Sequence, residues 1–216
     1  MHVHLNGQLV SLADARVSVD DAGFQHAVGL FETMVARNGR VFRLDRHLQR
    51  LTDSAATLGL ARELDTEALT RAVNQTLERN GLRDARVRLT VTAGSISLLG
   101  DASEPPEPTV LVVATSPTQY APAYFEEGIR VLIAPPGANP FDAMAGHKTL
   151  SYWGRLRTLR QAAAAGAGEA IWLNVTNHLA SGAISNIFLV KDGYLLTPIA
   201  RGEEVAGAVP PSVFPG

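Results

Sequence analysis

Only two of the 19 Lys and Arg residues are lysines, Lys148 and Lys191. A lysine can lose its proton and attack a carbonyl as a free amine, because burial lowers its pKa readily, whereas arginine keeps its charge. Lys191 falls in Lys191-Asp192-Gly193 between two apolar runs, which reads as the wet tip of a hairpin. Lys148 follows the small-residue turn Ala145-Gly146-His147 and precedes Thr149-Leu150-Ser151-Tyr152-Trp153, a pattern that opens a helix. Lys148 is therefore the candidate Schiff-base nucleophile. The alternative is an ordinary solvated lysine in a first helical turn.

Two further stretches could serve such a nucleophile. Leu44, Leu48, Leu51, Ala55 and Leu58 recur at spacings of three and four, the apolar stripe of an amphipathic helix closed by Gly59. Arg43, His47, Arg50 and Ser54 fall along one flank of that stripe. An arginine there either snorkels along the helix or reaches past the core edge to hold an anion in its fork of donors. Ser181-Gly182-Ala183-Ile184-Ser185-Asn186 reads as a small-residue turn between strands. Such a turn is a tight connection or a place where backbone comes close to a ligand.

The elements that must position these residues follow from periodicity. Residues 2–12 read as a hairpin about Asn6-Gly7, 16–20 as a strand, and 29–36 as a strand that Asn38-Gly39 turns into 41–44. A second helix runs from Thr66 to Asn80, capped by Asp65 and Gly81. Residues 85–93 alternate Arg86, Arg88 and Thr90 against Val87, Leu89 and Val91, a half-buried strand. The Pro-rich interruption 100–108 precedes the apolar strand 109–115. Beyond a Pro- and Tyr-containing linker come a strand at 128–134, a loop at 135–146 and the helix after Lys148, with Tyr152, Leu156, Leu159 and Ala163 as its buried face. Strands at 169–174, 178–181, 185–190 and 194–197 complete the pattern. This is an α+β chain. We expect a small α+β N-terminal domain at 1–117, a linker at 118–122 and a larger C-terminal domain at 123–216.

Composition narrows the function classes. The chain has 216 residues, 46% of them hydrophobic, and a formal net charge of −2, so neither nucleic acid nor an anionic membrane surface is an expected partner. There is no cysteine, hence no disulfide and no thiolate chemistry. The N-terminus lacks the pattern of a secretory signal, and no apolar run approaches the roughly 20 residues a bilayer requires. A cytoplasmic protein is expected. Among the 6 histidines only His2-x-His4 has ligand-like spacing, and without a third ligand no metal site is expected. Asn174-Val175-Thr176 matches a glycosylation sequon but reads as a strand end.

Several of these stretches, taken in order, resemble the class IV aminotransferases, the fold-type IV family dependent on pyridoxal 5'-phosphate (PLP). Branched-chain aminotransferase, D-amino acid transaminase and 4-amino-4-deoxychorismate lyase belong to it. Gly29-Leu30-Phe31-Glu32-Thr33-Met34 and the run Asn38-Gly39-Arg40-Val41-Phe42-Arg43-Leu44-Asp45-Arg46-His47-Leu48-Gln49-Arg50-Leu51 are similar to its first-domain signature. Gly146-His147-Lys148-Thr149-Leu150-Ser151-Tyr152 is similar to its lysine motif. Glu169-Ala170-Ile171-Trp172-Leu173-Asn174, the run Ser185 to Gly193 and Leu196-Thr197-Pro198 are similar to its second-domain run. The resemblance spans nearly the whole chain. It implies a two-domain fold and a homodimer, with the site in the cleft between the domains. The implied activity is transfer of an amino group between an amino acid and a 2-oxo acid, or PLP-dependent elimination as the alternative.

Residue by residue, it implies that Lys148 forms the Schiff base with PLP and then shuttles the proton. Arg50 is expected on the cofactor phosphate, and Tyr152, one helical turn past Lys148 on the same face, near the phenolate oxygen. Ser185 and Asn186 are expected at the cofactor, Phe31 and Arg88 near the substrate. Two departures stand out. Where the family usually carries a glutamate paired with the PLP pyridine nitrogen, this chain has Ser181, which can only hydrogen-bond it. Ser181 is expected to weaken transamination or favour elimination, and a silent fragment is the third expectation. Phe214-Pro215-Gly216 stands where the family's Leu-Pro-Gly leads into a phosphate-binding helix, so the expectation is a C-terminally truncated product, its second domain incomplete and its hold on PLP poor.

Overall fold

The computed structural model describes residues 1–95, 107–135, 137–139, 141–198 and 208–209. Most of the 100–108 interruption and the Phe214-Pro215-Gly216 end lie outside the described residues. By contact density the chain separates into two compact units. One comprises residues 1–119 and 147–151, the other 120–146 and 152–216. The five residues around Lys148 thus belong to the first unit, which a division into consecutive segments about 118–122 does not include.

The first unit contains β1 (His2–Leu5), β2 (Gln8–Ser11), α1 (Ala22–His26), β3 (Gly29–Arg37), β4 (Arg40–Val41), α2 (Leu44–Thr57), α3 (Thr66–Arg79), β5 (Ala85–Thr92) and β6 (Thr109–Thr115). Its strands form one antiparallel sheet in the order β2-β1-β6-β5-β3-β4. The β1–β2 turn uses Asn6 and Gly7, both at positive φ (45° and 84°), the mirror-image geometry that matches strand twist. Cross-strand register places Glu32, Leu89, Val112 and His4 in one row. That face is covered by α2 and α3, whose buried Leu48, Leu51, Ala55, Leu69, Val73 and Leu77 join Leu30, Val87 and Val91 in the main core. Asp65 caps α3 by accepting from the Ala68 amide.

Three local expectations change in the first unit. Residues 16–20 form no strand: Val17 and Val19 are 44% and 71% exposed, and alternation without a neighbouring edge carries no ladder. The strand after Asn38-Gly39 is two residues long, because Arg43 turns into the left-handed region (φ 53°) and Leu44 starts α2. Lys148 opens no helix. Phe31 N–H donates to Lys148 C=O (3.0 Å), Leu150 N–H donates to Gly29 C=O (2.9 Å), and Thr149 bridges Leu30. The segment is a short antiparallel strap on the part of the β3 edge that β4, paired only at Ala36 and Arg37, leaves open.

The second unit contains α4 (Ala123–Glu126), β7 (Val131–Ile133), α5 (Trp153–Ala164), β8 (Glu169–Leu173), β9 (Leu179–Gly182), β10 (Leu189–Lys191), β11 (Tyr194–Leu196) and β12 (Ala208–Val209). β7 and β8 are parallel, joined through α5, and β9 adds antiparallel to β8. β10, β11 and β12 make a second, antiparallel sheet. α5 begins at Trp153, with Tyr152 at its N-cap. Its inner face is Leu159 and Ala162, packed with Leu132, Ala170, Trp172 and Ala183, while Leu156 is 43% exposed and Ala163 is exposed. The face is one residue out of register with the expected one because the Trp172 indole docks on Thr158 Oγ (2.9 Å). No helix of the described residues is long and apolar enough to cross a membrane.

Candidate active site

In the first unit the flank of α2 is a row of positioning groups. Glu32 is 1% exposed in a strand whose other buried side chains are Leu30, Phe31, Met34 and Ala36. It accepts from Arg50 at both oxygens, Nε to Oε1 at 2.6 Å and Nη2 to Oε2 at 2.5 Å, and Oε2 also meets His47 Nδ1 at 2.8 Å. The bidentate pairing aligns a guanidinium whose side chain is still 52% exposed. One turn on, Ser54 Oγ lies 3.0 Å from Nδ1 of His147, the residue preceding Lys148. His47, Arg50 and Ser54 thus tie α2 to β3 and to the lysine strap.

On the opposite face of the sheet, the Phe31 ring is approached by two cations. The Arg88 guanidinium lies 3.8 Å and the Lys148 Nζ 4.5 Å from its ring centroid. Arg88 reaches it from β5, where it pairs with Thr33, the neighbour of Phe31 on that face. Gly29 permits the strap to close: an added Cβ would come within 2.7 Å of Leu150 Cδ1 and 2.8 Å of Val91 O. A primary amine, a guanidinium and an aromatic ring are therefore gathered on Lys148, Arg88 and Phe31.

In the second unit the turn after β9 is built around Glu169, 9% exposed. Its carboxylate accepts from Ala170 N (2.8 Å), Ala183 N (3.2 Å) and Ser185 Oγ (2.6 Å). Gly182 is required here, since a Cβ would collide with Ser185 Oγ and lie 3.1 Å from Glu169 Oε2. Arg155 of α5 donates through Nη1 to Ser181 Oγ (2.9 Å) and Gly182 O (2.9 Å), with Ala183 O at 3.4 Å. Its guanidinium also lies 5.7 Å from the Tyr152 ring and 5.3 Å from the Trp172 ring.

The site residues expected from sequence divide accordingly. Lys148, Phe31, Arg88 and Arg50 lie in the first unit; Tyr152, Ser181, Ser185 and Asn186 lie in the second. Tyr152 and Lys148 do not share a helical face, because only the residues from Trp153 onward are helical. Ser181 lies within β9 rather than in the turn after it, and the Ser185 hydroxyl proton is committed to Glu169. Sequence reading missed Glu32, Glu169 and Arg155. A carboxylate opening or interrupting an apolar strand was the available signal for the first two; nothing local marks Arg155. A cavity of about 510 Å³ lies elsewhere, on the α3 side of the sheet beside His4, Ala68 and Val110, and none of the expected site residues lines it.

Comparisons with known proteins identify the family. The model of the family described as amino-transferase class IV matches residues 29–208. A putative branched-chain-amino-acid aminotransferase of Methanocaldococcus jannaschii is 37% identical over 199 residues, covering 92% of this chain and 68% of that protein. Among solved structures, Escherichia coli branched-chain amino acid aminotransferase superposes with a TM-score of 0.83 at 26% identity, covering 91% of this chain and 67% of that one. The 4-amino-4-deoxychorismate lyase of Pseudomonas aeruginosa gives 0.77 at 28% identity, covering 95% and 73%. The buried carboxylate that aligns Arg50, the strap that carries Lys148 and a family match across 29–208 have one reading: this chain belongs to the class IV aminotransferases.

Proposed function

We propose that Lys148 is the residue through which this chain works as a PLP-dependent enzyme, exchanging an amino group between an amino acid and a 2-oxo acid. Class IV membership and the branched-chain aminotransferase relatives support the reaction, and PLP is the cofactor of the family. The residues present fit that group by donor chemistry: a primary amine at Lys148 and a half-exposed, oriented guanidinium at Arg50 suited to a phosphate dianion. When bound, PLP supplies an aldehyde that condenses with primary amines and a conjugated ring that accepts electron density from the substrate carbon.

The chain's own groups do the rest. The strap holds the Lys148 backbone on β3, so its amine is presented from a fixed position and serves as acceptor and donor of the substrate proton. Glu32 fixes the Arg50 guanidinium through its Nε–Nη2 edge, so a phosphate would be met by the other edge, at Nη1. Arg88 over Phe31 offers a cation to the substrate carboxylate. Tyr152, Ser181 and Asn186 are assigned to the cofactor ring; Ser185 keeps only its lone pairs for a ligand and chiefly fastens the turn through Glu169. We place the enzyme in the cytoplasm as a homodimer, which sedimentation equilibrium tests directly.

The carrying observation is Lys148 beside Phe31 and Arg88. Because Lys191 is the only other lysine, borohydride reduction in the presence of PLP followed by peptide mass spectrometry is decisive. The label is expected on the Lys148 peptide, and Lys148→Ala is expected to lose it together with about 10³-fold or more of the amino transfer. A label undiminished in Lys148→Ala overturns the assignment. Elimination is the second reading, favoured by Ser181 in place of the family's glutamate; release of pyruvate from aminodeoxychorismate distinguishes it from keto acid formation.

A further inference from the structure

We infer that Arg155 and Ser181 act together to keep the pyridine nitrogen of the bound cofactor unprotonated, with Arg155 as the positioning residue and Ser181 as the hydrogen-bond donor. This rests on the assignment of Ser181 to that nitrogen. A guanidinium has donors and no acceptor, so in the 2.9 Å contact with Arg155 Nη1 the Ser181 oxygen accepts. The hydroxyl proton must therefore point to another partner. Accepting from a cation polarises the hydroxyl, making it a better donor and a poorer acceptor.

A pyridine lone pair matches that donor. A pyridinium would need the remaining lone pair of Ser181 and would sit one hydroxyl away from the Arg155 charge, an arrangement of like charges in a partly buried turn. Glu169 is engaged by Ala170 N, Ala183 N and Ser185 Oγ, and among the described residues it forms no ion pair with Arg155. Arg155 is itself held by the Gly182 carbonyl and flanked by the Tyr152 and Trp172 rings, so it cannot swing clear without losing three contacts. The consequence is a ring that would withdraw electrons weakly, set by a side chain on α5 acting through Ser181.

The test is the ¹⁵N resonance of ring-labelled PLP bound to the full chain after removal of free cofactor. The unmodified protein is expected to show the downfield position of an unprotonated pyridine. Arg155→Met should move it upfield toward pyridinium, Arg155→Lys, which keeps the charge, should leave it near its original position, and Ser181→Glu should give the full pyridinium shift. A pyridinium resonance in the unmodified protein overturns the inference without needing any variant to fold, and an unmoved resonance in Arg155→Met overturns the role of Arg155. If borohydride leaves no label on Lys148, the cofactor assignment fails and this inference with it. If the label forms and the resonance is that of pyridinium, only this inference fails.

Discussion

Glu32 holds Arg50 on the flank of α2 through two parallel hydrogen bonds. The carboxylate is sealed under α2 and satisfied by a fork and an imidazole, while the guanidinium remains half in solvent. Removing Arg50 strands the carboxylate with His47 alone. Arg50→Ala is expected to lower unfolding stability by about 1–3 kcal/mol, as read by urea titration, in addition to weakening PLP binding. Arg50→Lys would not substitute for it, because a point charge cannot reproduce two parallel bonds to Glu32. His4 makes a second residue-scale case. Its Nδ1 is buried with no hydrogen-bond partner among the described residues, and burial lowers its pKa below the usual 6.5. A histidine depressed in the folded state binds its proton more readily when unfolded, so stability rises with pH through the window between the folded value and 6.5 and is level above it. The His4→Leu chain should therefore lose less stability than the parent as pH falls below 6.5, in parallel chemical denaturation.

At the scale of elements, two short pieces carry the positioning. One is the Lys148 strap, held by two backbone bonds to β3 and by His147 against Ser54. The other is the β9 turn, where Glu169 accepts from Ser185 Oγ and shares the Ala183 amide with the Ala170 carbonyl (2.8 Å). The turn leaves no volume at Gly182. Gly182→Ala forces Ser185 off its carboxylate and is expected to cost about 1–3 kcal/mol, seen as a lowered melting temperature. The same substitution at Gly166, where a Cβ meets nothing, pays only the strain of a positive φ of 72° and provides the control.

For the molecule as a whole, the first unit is discontinuous: residues 1–119 are completed by 147–151. The strap supplies a donor to Gly29 and an acceptor to Phe31 along an otherwise open edge. Leu150→Pro removes that donor, since proline has no amide hydrogen. Amide exchange at Phe31 should then rise by about tenfold or more, while amides in the β5–β6 ladder keep their protection. An unchanged Phe31 rate would mean the strap adds nothing to the β3 edge.

Elements with long periodic patterns were readable without coordinates. The β1–β2 hairpin, α2, α3, β5 and β6 fall where Asn6-Gly7, the leucine stripes and the Val87-Leu89-Val91 alternation place them, because local turn chemistry and one buried face suffice to specify them. The flank of α2 was legible as well, and Lys148 stood out by residue type alone. What local pattern could not supply is every contact made at long range. Whether 16–20 finds an edge, that Lys148 rides an extended strap rather than a helix, that Arg50 is held by Glu32 18 positions away, and that Ser181 answers to Arg155 from 26 positions away depend on pairings between distant segments. The sequence by itself determined the family and the elements α2, α3, β5 and β6, and it singled out Lys148 as the candidate nucleophile. Only the tertiary structure decided which charges face one another, since that depends on how separate elements pack and no single element's periodicity encodes it.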